Sequence, residues 1–115
     1  MNDFFILLDR EISFCDFELL LQEISDCEVI PYATSGIIQV WYKGKHIDFT
    51  LMRVTDFMCE RDQAFIEIND VKTVYMISCS KHSECELNSL LSVLANSIDG
   101  WIGQDSEGFS PATKL

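Results

Sequence analysis

The sequence is short of positive charge. Its 115 residues hold 8 Lys and Arg against 19 Asp and Glu, a formal net charge of −11. Proteins that bind nucleic acid need clustered Lys and Arg to displace counterions from phosphates. Here the bases are scattered, apart from Lys43, Lys45 and Arg53. Nucleic acid and anionic lipid are therefore not expected as partners. Long apolar runs are lacking too. The longest, Phe4-Phe5-Ile6-Leu7-Leu8, is far too short to cross a bilayer. Met1-Asn2-Asp3 has no basic stretch of the kind that opens a signal peptide, so a cytoplasmic location is expected. The five cysteines, at 15, 27, 59, 79 and 85, are odd in number and form no CxxC pair. That usage fits reduced thiols, most of them serving as small core hydrophobes. Gly100, Gly103 and Gly108 follow a helical stretch instead of opening one, so they are not a phosphate loop. No standard catalytic motif is present, and neither an enzymatic activity nor a cofactor is expected.

What is there belongs to a folded domain. Hydrophobic residues make up 48% of the chain, enough to escape disorder. Size scaling gives a folded surface of roughly 6,400 Å² against roughly 19,000 Å² unfolded, so about two-thirds is buried around one core. Residues 1–115 read as a single domain, with 110–115 expected to fray. The charge is uneven. Asp3, Asp9, Glu11, Asp16, Glu18, Glu23, Asp26 and Glu28 face one base, Arg10, in the first 28 residues.

Hydrophobic periodicity orders the chain. Asn2 to Leu8 suits a buried strand. Ser13-x-x-Asp16 caps a helix over 14–25, with Phe17, Leu20, Leu21 and Ile24 on its apolar face. Glu28 to Tyr32 reads as an edge strand, because Pro31 cannot donate to a ladder. Ile37 to Val54 is a hairpin about Lys43-Gly44. Its register pairs Tyr42 with Lys45, Val40 with Ile47 and Ile38 with Phe49. Ile38, Val40, Ile47, Phe49 and Leu51 then share the core face, with Gln39 opposite Asp48 and Trp41 opposite His46 on the other face. Residues 55–70 admit a loop, a helical turn, or a strand over Ala64–Ile68. Thr73 to Cys79, apolar on both faces, reads as a central strand. Ser83-x-x-Glu86 is a second capping box, followed by a helix through Ile98 that Gly100 stops. Trp101 and Ile102 fit a last strand. This order gives an α+β domain: an antiparallel β-meander with two helices packed on one face, in two layers.

Three constellations could carry function. Cys79, His82 and Cys85 form a C-x2-H-x2-C run, but it lacks a fourth zinc ligand nearby. Cys85 lies near a helix start, where the dipole favours a thiolate, and His82 could serve as its base. Glu84 and Glu86 flank it and oppose that charge. A small thiol- or metal-dependent enzyme built on Cys85 and His82 is thus one alternative. The third constellation is the wet face of the hairpin, where Trp41, His46, Gln39, Asp48, Lys43 and Lys45 are expected to sit together. An exposed Trp there fits an interface anchor. Asp56, Glu60 and Asp62 in the following segment, and Asp105 and Glu107 in the tail, join Trp41, His46 and Asp48 in a set of eight candidate partner-binding residues.

The ending Leu94-Ala95-Asn96-Ser97-Ile98-Asp99-Gly100-Trp101-Ile102-Gly103-Gln104-Asp105 is similar to the helix and Gly-Trp-Ile-Gly-x-Asp endings of some small bacterial domains. Together with the short acidic α+β chain and its lack of catalytic motifs, it resembles the immunity proteins of bacterial toxin–immunity pairs, including those of contact-dependent growth inhibition. The resemblance implies a non-enzymatic protein that binds and neutralises a cognate toxin domain, often a basic nuclease. A second alternative is an acidic interaction or regulatory domain with another partner.

Overall fold

A computed structural model describes residues 2–115. One seven-stranded antiparallel sheet runs through it. In chain order the elements are β1 (Asn2–Leu8), α1 (Phe14–Gln22), β2 (Cys27–Tyr32), β3 (Ile37–Tyr42), β4 (Lys45–Met52), α2 (Glu60–Ile68), β5 (Thr73–Cys79), α3 (Glu84–Leu94), β6 (Gly100–Gln104) and β7 (Thr113–Lys114). The strands lie in the order β2-β3-β4-β5-β1-β6-β7. The meander expected from sequence holds from β2 to β5, and β1 is then inserted between β5 and β6. The accessible surface, 6503 Å², is what size scaling leads one to expect of a compact chain of this length.

The hairpin register is the expected one in all five cross-strand pairs named above. Its turn has positive φ at both central residues, 51° at Lys43 and 80° at Gly44. That is the type I′ geometry whose twist matches the flanking strands. Ile38, Val40, Ile47 and Phe49 are fully buried on one face. Leu51 is not, because it lies past the end of the helical cover; it is 38% exposed.

That face carries α1 and α3. Ser13 caps α1 by accepting from the Asp16 amide at 3.2 Å. Phe17 stacks on Tyr75 with centroids 4.0 Å apart and meets Phe49 edge-on at 5.4 Å. Leu87, Leu90, Leu91 and Leu94 bring α3 down beside them. Two details differ from the sequence reading. Ser83 precedes α3 but makes no capping bond, since its hydroxyl is engaged by Ser80 Oγ at 3.1 Å. Gly100 is the first residue of β6, not the helix cap, and Ala95 takes that place. The glycine is required by close approach: a Cβ there would lie 2.2 Å from the Leu7 carbonyl oxygen.

The opposite face has a smaller core of its own, made by Phe5, Leu7, Val71, Val74 and Phe109. Residues 60–68 cover it as a helix, so the strand reading of Ala64–Ile68 does not hold. Phe65 and Ile66 pack inward while Ile68 points out, 82% exposed. Phe109 is the plug, meeting Phe5, Phe57 and Phe65 edge-on at 5.2–5.5 Å. The two-layer arrangement therefore applies to β2–β4, and α2 adds a third layer over β5, β1 and β6. The tail expected to fray is paired: Thr113 and Lys114 join β6, and the Leu115 amide donates to the Gly100 carbonyl at 2.9 Å.

The register sets a clear expectation. Val40→Asp puts an unpaired carboxylate into the main core at a cost of several kcal/mol and unfolds the protein, whereas Gln39→Thr, one residue away, stays folded. Circular dichroism melts of the two variants check it, and equal tolerance would refute the register.

Candidate functional site

The second face is only half covered. On β2, β3 and β4 its positions alternate with the core positions: Glu28, Ile30 and Tyr32; Ile37, Gln39 and Trp41; His46, Asp48, Thr50 and Met52. None of these is fully buried, and Tyr32 and Trp41 are exposed by 50% and 40%. The charged side chains among them are Glu28, His46 and Asp48, with no Lys or Arg. Lys45, expected here, falls on the core face instead, because it pairs with Tyr42. Lys43 sits in the turn with its ammonium 5.2 Å from the Tyr42 ring centroid.

Three of the eight candidate residues meet on this surface. The Trp41 and His46 rings stack with centroids 4.9 Å apart and planes inclined by 26°. His46 Nε2 lies 2.9 Å from Asp48 Oδ1 and 2.9 Å from the Gln39 side-chain amide. Asp48 Oδ1 has almost no solvent contact and no aligned hydrogen bond among the described residues. The Gln39 side-chain nitrogen reaches the same Nε2, so the imidazole stands between the amide, the carboxylate and the indole that it covers. One row over, Ser78 Oγ donates to Asp3 Oδ1 at 2.8 Å. His46 thus has a carboxylate neighbour and an aromatic cover, and among the described residues no serine or cysteine bonds to it.

The other five candidates divide differently. Asp56 accepts from the Arg53 amide at 3.0 Å and pairs with its guanidinium at 3.1 Å. The backbone bond first, and then the guanidinium, hold the Asp56 carboxyl below its ordinary range. Asp62 accepts from the Gly108 amide at 2.7 Å and so fixes the one-turn helix Glu107–Phe109 that carries the plug. Glu107 reaches Arg61 at 3.6 Å. Glu60 and Asp105 are exposed and make no ion pair among the described residues. Asp62 thus has a structural contact of its own, and the recorded contacts of the loop and tail acids do not include Trp41.

The thiol constellation does not assemble either. Cys79 is buried in the main core, and desolvation, then the fields of Glu84 and Asp3, push its thiol up. Cys85 is exposed at the start of α3. Among the described residues, no three His, Cys, Asp or Glu side chains are grouped to hold a metal ion.

Sequence reasoning missed β2 as part of the surface. Glu28, Ile30 and Tyr32 alternate in the sequence, but only the β2–β3 register shows that they extend the Trp41 face. Compared with protein-family models, with curated proteins and with solved structures, the chain gives no match.

Two measurements follow from these assignments. Asp62→Ala leaves the partly buried Gly108 amide unpaired and costs about 1–3 kcal/mol, while Asp105→Ala stays within about 0.5 kcal/mol of wild type. Urea denaturation separates them, and equal midpoints would show that Asp62 holds nothing. The second concerns alkaline pH. Burial pushes the Cys27 thiol from 9.0 up to about 11. Its contribution is complete below pH 9.0 and is lost as pH rises towards about 11, because the unfolded chain releases that proton first. The melting temperature should fall across this window, and less steeply for Cys27→Ala. Identical slopes would remove Cys27 as a cause.

Proposed function

We propose that the protein is a non-enzymatic binding domain that neutralises a basic protein partner, in the manner of an immunity protein against a toxin domain. The observation that carries the reading is the uncovered face of β2, β3 and β4. Two aromatic side chains stand exposed there among Glu28 and Asp48, with no Lys or Arg. An aromatic held rigid before binding loses little entropy when covered, and this is how interface anchors act. His46 and Gln39 hold Trp41 in that condition. The formal charge of −11 steers a basic partner to the surface and repels phosphate-bearing competitors. A nuclease-type toxin, whose own active-site surface must be basic to hold nucleic acid, fits this complementarity. Asp48 and Glu28 supply charge at the aromatic centre, and Glu60 and Asp105 serve only as distant steering charges.

No helix among the described residues is long and apolar enough to cross a membrane. In this proposal the encounter is between two proteins in the cytoplasm.

The test uses the protein as bait in extracts of its source cell, followed by stopped-flow kinetics with the captured partner. Association should slow steeply as salt rises, while dissociation changes less. Trp41→Ala should weaken binding by more than about 2 kcal/mol, and Asp48→Asn should act mainly on dissociation. A salt-independent on-rate together with full affinity in Trp41→Ala would defeat the proposal.

A further inference from the structure

Three donor groups converge beside the indole of Trp41. His46 Nε2 lies 2.9 Å from Asp48 Oδ1 and 2.9 Å from the Gln39 side-chain nitrogen. Asp48 Oδ1 is shielded from water and has no aligned hydrogen bond among the described residues. The ring nitrogen and the carboxylate oxygen are therefore close without the alignment that a shared proton favours. The strand pairing brings the groups together. His46 and Asp48 are two apart on β4 and so share a side of the sheet, and Gln39 stands directly opposite Asp48 on β3. Their neighbours in the two strands, Ile38, Val40, Ile47 and Phe49, are fully buried on the other side, which fixes the backbone that carries all three. None of the three is fully buried, so the cluster is open to solutes from one side.

We propose that His46, Asp48 and Gln39 form a binding site for a divalent first-row transition-metal ion. The donor types select that class. An imidazole nitrogen with a carboxylate and an amide oxygen suits nickel, copper and zinc, whereas magnesium and calcium take oxygen donors. The spacing agrees. With metal bonds of about 2.0–2.2 Å, two ligands at right angles stand about 2.9 Å apart and two tetrahedral ligands about 3.3 Å apart. The observed 2.9 Å between Nε2 and Oδ1 is the right-angle value, the arrangement that nickel and copper favour. Ligands at right angles also lie off the line of each other's lone pairs. A contact this short that is not an aligned hydrogen bond has that character. Gln39 supplies the third donor by turning its amide over, which puts oxygen where nitrogen stands. Water fills the remaining positions on the open side. The ion would tie β3 to β4 from outside the backbone ladder and hold the imidazole that covers Trp41. The proposal needs no protein partner and does not rest on the binding reading above.

Nickel(II) is the probe, because it takes nitrogen and oxygen donors at right angles and does not oxidise free thiols as copper(II) does. The intact protein is titrated with its five cysteines kept reduced by a phosphine. The Trp41 ring stacks on His46 at 4.9 Å, so its emission reports on an ion at Nε2. In Trp101→Phe, which leaves Trp41 the only indole, the emission should be quenched to saturation at one ion per chain. Amide signals should broaden around Gln39, Trp41, His46 and Asp48, and Mg²⁺ should produce neither effect. Calorimetry then compares variants that circular dichroism shows to be folded. His46→Ala should abolish saturable binding. Asp48→Asn, which keeps the shape and removes the charge, should weaken it at least about tenfold, the scale of changes around metal ligands. Gln39→Glu should tighten it by replacing an amide with a carboxylate. His82→Ala, which removes the other imidazole, should leave it unchanged. The absence of saturable binding would overturn the proposal, as would equal affinity in Asp48→Asn or a Gln39→Glu protein that binds no tighter than wild type. Broadening centred on His82 and Cys85 would also overturn it, by placing the ion at the helix start instead.

Discussion

The structure depends on the two-sided burial of β1 and β5. Ile6 and Leu8 on one side, and Phe5 and Leu7 on the other, are all removed from solvent, as are Tyr75 and Ile77 against Val74. A strand apolar on both faces needs cover on both. That requirement brings α1 and α3 to one side and α2 with Phe109 to the other. The strands β2, β3 and β4 alternate in polarity and ask for cover on one side only. The uncovered surface is therefore placed by the sequence pattern of the strands themselves. It begins where two-sided apolar strands give way to one-sided ones.

The same boundary explains why the Trp41 surface is rigid. Its floor is a sheet whose other side is the main core, with Ile38, Val40, Ile47 and Phe49 directly beneath. The side chains above inherit fixed backbone positions. His46 is then held twice, by stacking on Trp41 and by the Gln39 amide at its Nε2. Such a surface suits recognition of a folded partner, because little of it must be ordered on contact.

Much of this was legible in the sequence where period and chemistry agreed. β1, β5 and the hairpin register followed from apolar patterning and one glycine turn, and α1 from Ser13 and its apolar face. The misreadings have physical causes. Phe65, Ile66 and Ile68 are β-formers by propensity, but packing of the first two on Phe109 and its neighbours decides for helix. Ser83 has the residue type of a cap, yet Ser80 takes its hydroxyl. Gly100 resembled a helix stop because the demand it meets, the nearness of the Leu7 carbonyl, comes from a strand distant in sequence. Among the loop and tail acids, the contacts of Asp56 with Arg53, of Asp62 with the Gly108 amide and of Glu107 with Arg61 became visible only in three dimensions. At the site, Trp41, His46 and Asp48 could be placed together from register alone, whereas Glu28, Ile30 and Tyr32 needed the pairing of β2.

The position of β1 has a consequence for how the chain folds. Its ladder partners are β5 on one side and β6 on the other. Made before its partners, Phe4-Phe5-Ile6-Leu7-Leu8 has neither ladder strand to pair with until Thr73–Cys79 has been made. Until then, the most apolar segment of the protein waits with both faces and both edges unoccupied, while β2, β3 and β4 can already form their local meander. Chains whose central pairing is this non-local fold slowly and expose sticky intermediates. The arrangement that gives the sheet a doubly buried centre thus leaves its most apolar strand unpaired through most of synthesis.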